Sequence, residues 1–385
     1  MTALWRAVAL LSSLGAGWVI AHVAQLEGAE SSTLYRYFVT ALLGFGLYAS
    51  TRGIEIAEFR DQLGTVLLAV TLGVLAKAVM IAGVVYLVFR DPRLLVFGIA
   101  VAQIDPLSVA AMRSKSKMSP SAKALLSAWA SFDDPITVLL TVYFTALALH
   151  ASNGAVVMSA GLSAFLVNLL WNVVLAGVAF LVWKGFQRLR LSAGWQLFAN
   201  GVLGFVVLVV AFLAVTQGLL LALALIGLFF RPPLGRFVDG ATQFALYAGC
   251  VAMGLVLVVD EARWLLIGLV LGIAAYAAQV VTGFALTTPR RWRGDRVRLA
   301  LGQQNGLTAI ILALLLEPDF PGAVAIIAPA IVVVNLLNAF CNGLWDHFRP
   351  PAWERSGLTP EQGPHGGTTN ARAEVVERRT QSGTP

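Results

Sequence analysis

ASFDDPITVLL, residues 130–140, sets Asp133 and Asp134 side by side in a stretch otherwise apolar enough to lie in lipid. The surrounding run, 121–149, is longer than the ~20 residues that a helix needs to cross a bilayer. At 1.5 Å per helical residue, Asp133 falls ~18 Å into a span starting near Ser121, close to mid-depth. A charge there costs at least ~2.5 kcal/mol on insertion scales, so a pair of acids is read as functional first.

The rest of the chain agrees with a lipid setting. Hydrophobic residues make up 58% of its 385 residues and charged ones only 12%, against about 25% charged in a soluble domain. Apolar runs separated by short charged or Gly/Pro-bearing stretches predict an all-α polytopic membrane protein of about twelve transmembrane helices. The spans are 3–23, 34–50, 63–89, 94–112, 121–149, 154–183, 194–216, 217–230, 241–259, 264–288, 299–316 and 322–345. The first also fits a signal peptide, with Arg6 ahead of an apolar core. Residues 1–349 form the transmembrane domain, and the polar 350–385 read as a disordered cytoplasmic tail.

The net charge of +7 is spread by topology. With a cytoplasmic N-terminus, the inner connections hold Arg52, Arg60, Arg113, Lys115, Lys117, Lys184, Arg188, Arg231 and the Arg290–Arg298 cluster, whereas the outer ones hold only Arg36, Arg90, Arg93 and Arg263. This positive-inside pattern places both termini in the cytoplasm of a cell-membrane protein and argues against nucleic acid as partner. No GxGxxG or Walker-type run occurs, so neither nucleotide nor cofactor is expected, and Cys250 and Cys341 read as core residues.

The ionisable residues deep in spans are Lys77, Asp105, Asp133 and Asp134. Lys77 lies ~21 Å into its span and Asp105 about 10 Å from the cytoplasmic end of its own. A salt bridge from Lys77 satisfies one aspartate and leaves two to be protonated, to bind cations, or to alternate. Asp105-Pro106 and Asp134-Pro135 each follow the acid with proline, which removes a backbone donor and pushes the preceding residue out of α geometry. Both helices are expected to unwind there.

A third interruption is expected in LGQQNGLTAIILALLLEP, 301–318, where Gln303, Gln304, Asn305 and Gly306 enter the eleventh span. Spans three to five and ten to twelve then share a pattern: a long helix with Lys77 or Gln279, a break at Gln103–Pro106 or Gln303–Gly306, and a further helix, with Asn335 and Asn338 in the second case. The offset of seven spans inverts one triplet relative to the other, as in secondary transporters, with the two discontinuous helices crossing at their breaks. Glu317-Pro318-Asp319 reads as a solvated outer turn.

On these residues the chain resembles the monovalent cation/proton antiporter superfamily, from about 34 to 345. AQIDPLSVAAM (102–112) is similar to its Thr-Asp-Pro motif, SFDDPITVLL to its double-aspartate motif, and GQQNGLTAIILAL to its Gln-x-Gly…Ala motif through Gln304, Gly306 and Ala309. The resemblance implies a homodimer in which a core domain, helices of about 63–149 and 264–345, moves against a panel domain by elevator-like alternating access. It implies that Asp134 exchanges a cation for protons, with Asp133 and Asp105 beside it, the transported Na⁺, Li⁺ or K⁺ on Asp134 and Asp105, and Lys77, Gln103, Gln279, Gln304 and Asn305 as polar support. A double aspartate leans towards electrogenic exchange. Ile104, Gln279 and Leu307 depart from the pattern at positions usually Thr, Lys or Arg, and often Glu; Lys77 is the candidate to replace the base missing at Gln279. The rival functions are a Na⁺-coupled organic-anion symporter, a cation channel, and an intramembrane aspartyl protease.

Overall fold

In hydrocarbon an unpaired backbone amide costs several kcal/mol, so a chain this apolar must close its hydrogen bonds within helices. The computed structural model describes residues 3–25, 32–52, 64–106, 109, 118–152, 158–188, 202, 205–206, 209–217, 219–231, 235–257, 262–303 and 305–348, with no strand among them. In chain order the helices are α1 (Ala3–Ala24), α2 (Thr33–Arg52), α3 (Val74–Phe89), α4 (Leu95–Ala100), α5 (Pro120–Ser152), α6 (Met158–Arg188), α7 (Leu220–Phe229), α8 (Gly235–Val256), α9 (Ala262–Leu286), α10 (Arg296–Ala300), α11 (Leu307–Leu316) and α12 (Ala323–Phe348). Among the described residues, five helical stretches are long and apolar enough to cross a bilayer: Gly64–Phe89, Pro120–Thr145, Leu166–Arg188, Ala262–Leu286 and Ala323–Phe348. The protein is a multi-pass membrane protein. Most of the expected 194–216 span, Gln304 and the tail lie outside the described residues.

Two triplets carry the architecture, each a long helix, an interrupted helix and a second long helix. In the first, α3 is followed by α4, which stops at Val101, and by α5; residues 102–105 are not helical. In the second, α9 is followed by α10, a break whose described residues are 301–303 and 305–306, and α11, then α12. The triplets meet where α3 packs on α9, and α9 packs in turn on α12. Small residues permit that approach: a Cβ at Gly272 would meet the Ala330 carbonyl at 2.8 Å, and one at Gly268 would strike the Ile326 carbonyl. Ahead of α3 the same span holds a π-helical turn, Ala69–Gly73, which widens the helix by a residue one turn before Lys77.

Two expectations are corrected. Pro135 does not break its helix: α5 runs without interruption from Pro120 to Ser152. Proline removes one donor, that for the Ser131 carbonyl, which a membrane helix tolerates when its neighbours are tightly packed. At Pro106 the chain does open, because partners from other helices take up the freed backbone groups. Glu317 is not merely solvated: its carboxylate accepts from the backbone N–H of Gly322 at 2.7 Å and Val324 at 2.6 Å, closing the start of α12.

Candidate functional site

The two breaks satisfy each other. The side-chain amide of Gln303 donates to the Gln103 carbonyl at 2.6 Å and to the Val101 carbonyl at 3.3 Å, and Asn305 Nδ2 donates to Val101 at 3.3 Å. The carbonyls released at the first break are thus largely held by amides of the second. The second break is held in turn by α12. Asn338 and Asn342 both donate to the Leu301 carbonyl, at 2.8 and 3.1 Å, while Asn335 donates to the Asn305 carbonyl at 2.8 Å and accepts from its N–H at 3.3 Å. These are the unpaired backbone groups that lipid would otherwise penalise most.

The acids converge on this crossing from three directions. Neighbours on a helix point about 100° apart, so Asp133 and Asp134 leave α5 towards different partners. Asp133 Oδ2 accepts from Lys77 Nζ at 2.7 Å and from the Ile104 N–H of the first break at 2.9 Å. Lys77 also lies 5.5 Å from the ring centroid of Trp129, one turn before Asp133 on α5, a cation–π contact in a desolvated place. Asp134 turns to the other broken helix, where Thr308 Oγ1 donates to its Oδ2 at 2.8 Å. Its second oxygen, Oδ1, is buried with no hydrogen-bond partner. Asp105 ends the first break with its carboxylate against the Cα of Gly306, so closely that a Cβ at 306 would overlap it. All three acids are buried, and the charges of Asp105, Asp133 and Lys77 all reach Asp134.

Four ionisable groups therefore share one buried centre, three acidic and one basic, and the basic one is already paired. Asp133 with Lys77 forms an ion pair, and Asp134 and Asp105 are the two further acids of the centre. Such a centre can hold a hard cation on oxygen atoms or hold protons in its place. Gln279, the repeat counterpart of Lys77, is buried on α9 with neither amide atom hydrogen-bonded, and it takes no part in the ion pair. Gln103 is buried and contributes its backbone carbonyl; Pro106 and Gly306 flank the two breaks; Gln304 lies outside the described residues.

Three contributors escape a reading of the sequence: Thr308, Trp129 and Asn342. Asn335, Asn338, Asn342 and Asp346 form one face of α12 at intervals of three and four residues, a helical period that, followed to its end, points to this clamp. Asp346 completes it by accepting from Arg298 Nη2 at 2.6 Å and Nε at 3.0 Å. Thr308 had no such signal, because its role depends on where α11 begins.

No family model matches the chain, and no curated protein matches it in sequence. Among solved structures it is similar to the sodium proton antiporter MjNhaP1 from Methanocaldococcus jannaschii, determined at pH 8. The likeness covers 92% of this chain and 98% of that one, with a TM-score of 0.58 and 16% sequence identity. Near-complete coverage at so low an identity shows a shared fold: the same polytopic helical arrangement over essentially the whole length of both chains.

Proposed function

We propose that the protein is a secondary active antiporter that exchanges a monovalent cation, Na⁺, Li⁺ or K⁺, for protons by alternating access. The observation that carries this is Asp134: an acid buried at the crossing of two interrupted helices, with Oδ1 unpartnered and Asp105 as a second acid nearby. Burial favours the neutral form of a carboxyl, whereas a cation beside it favours the ionised form. One carboxylate can then carry protons in one direction and a metal ion in the other. The MjNhaP1-like fold supports the same assignment.

In this scheme the cation enters from the cytoplasm once Asp134 is deprotonated. The core helices of about 63–149 and 264–345 then carry the site past a panel formed by the remaining helices, and external protons displace the ion. The protein is placed as a homodimer in the cell membrane with both termini cytoplasmic, serving pH and cation homeostasis. An organic anion as co-substrate would need a free cationic side chain at the site, and Lys77 is engaged by Asp133.

The test is cation-driven proton movement in proteoliposomes under an imposed membrane potential. Asp134→Asn, the closest neutral analogue, should abolish exchange while the protein remains folded. Undiminished exchange in that variant would remove Asp134 from the mechanism.

A further inference from the structure

A threonine hydroxyl inside a helix usually bonds back to a carbonyl of the preceding turn. Thr40, Thr71, Thr141 and Thr242 do so here, each to the residue four positions earlier. Thr308 has no such option. It is the second residue of α11, which starts directly after the break, so no helical turn precedes it. Its hydroxyl donates across to Asp134 instead.

That placement has chemical consequences. A hydroxyl carries one donor and two acceptor lone pairs. Facing an ionised, empty carboxylate it offers its proton; with a cation seated on Asp134 it can rotate about the C–O bond and offer an oxygen. Hard cations are held by oxygen ligands, and among the described residues of the first break, 102–106, no side chain carries a hydroxyl. Thr308 and Asp134 are 2% and 1% exposed, so water has little access to take the place of the hydroxyl. β-Branching limits χ1 of the threonine, so the gap between its Oγ1 and Asp134 is set by the packing of α11 on α5.

We propose, resting on the antiport assignment above, that Thr308 is a cation-selecting ligand of the transport site, its hydroxyl oxygen completing the shell that Asp134 begins. The unpartnered Oδ1 of Asp134 is the independent sign that this place is built for a ligand.

The experiment compares Thr308→Val, Thr308→Ser and Asp134→Asn, reconstituted separately, with Na⁺, Li⁺ and K⁺ titrated at one fixed pH. Thr308→Val should raise the half-saturating cation concentration about tenfold, the size of one lost polar partner. Its maximal rate should stay within about twofold of the parent, as expected when binding alone is weakened. The order of preference among the three ions should also change, and Thr308→Ser should restore both. A purely structural role would lower the maximal rate or the yield of folded protein and leave the order of ions intact. If Thr308→Val does not fold, Thr308→Ala, which cannot crowd the site, is read in the same way. Unchanged half-saturation and ion order, alongside an inactive Asp134→Asn, would overturn the role of Thr308 alone; a fully active Asp134→Asn would overturn the antiport assignment itself.

Discussion

Lys77 Nζ lies 2.7 Å from Asp133 Oδ2, with neither side chain exposed. Removing one member of a buried ion pair leaves the other charge stranded, at a cost of about 3–5 kcal/mol, while removing both is far milder. Lys77→Met is therefore expected to lower the unfolding temperature in detergent more than the double variant Lys77→Met/Asp133→Asn, in which residue 133 retains an oxygen for the Ile104 N–H. A double variant less stable than Lys77→Met would show that the pair does not hold α3 to α5.

Gly306 has to lack a side chain because the Asp105 carboxylate occupies the place of its Cβ. Gly306→Ala should reduce exchange at least ~10-fold by displacing that acid or parting the breaks, since sub-ångström to ångström misplacement at a reacting site costs orders of magnitude. In an Asp105→Ala background the same change should bring little further loss. Full additivity of the two would place the effect of the alanine elsewhere.

Pro135 lies within an uninterrupted helix. Pro135→Ala restores a donor for the Ser131 carbonyl, and one intrahelical hydrogen bond is worth about 1 kcal/mol. The variant should unfold at a higher temperature than the parent. A lower unfolding temperature would mean that the proline ring is needed for packing.

Asn338 and Asn342 share one acceptor, the carbonyl of Leu301. Either alone keeps that group paired, so Asn338→Leu and Asn342→Leu should each cost less than about 1 kcal/mol, and the double variant more than their sum, by leaving a partly buried carbonyl unsatisfied. Strict additivity in thermal unfolding would argue against the shared clamp.

Competition between protons and cation at Asp134 fixes the sign of the pH dependence. Raising the cation concentration should move the cytoplasmic-side midpoint of exchange to lower pH, because more metal displaces the same protons at higher acidity. By linkage the shift is about one pH unit per tenfold cation if one proton is displaced, and about half a unit if two are. A midpoint indifferent to cation concentration would contradict a common site.

The two breaks that cross are legible in the sequence. Asp-Pro at 105–106 and Asn-Gly at 305–306 carry their backbone consequences in the local sequence, and the apolar runs on either side set the depth at which those consequences appear. The same local logic failed at Pro135, where the dipeptide is again Asp-Pro. Whether a proline opens a helix depends on what is waiting for the freed backbone groups. Gln303, Asn305 and Asp133 wait for the first break, and α5 stays closed.

The sequence by itself determined that this is a membrane bundle with acids inside its apolar spans and interruptions beside Pro106 and Gly306, because hydropathy and backbone chemistry act over a few neighbouring residues; it also marked Pro135 as a break, which the packed helix does not show. Only the tertiary structure decided which acid Lys77 neutralises and which one is left facing Thr308. Those pairings join residues 56 and 174 positions apart, and their geometry is set by how α3, α5 and α11 pack rather than by any local preference of the chain.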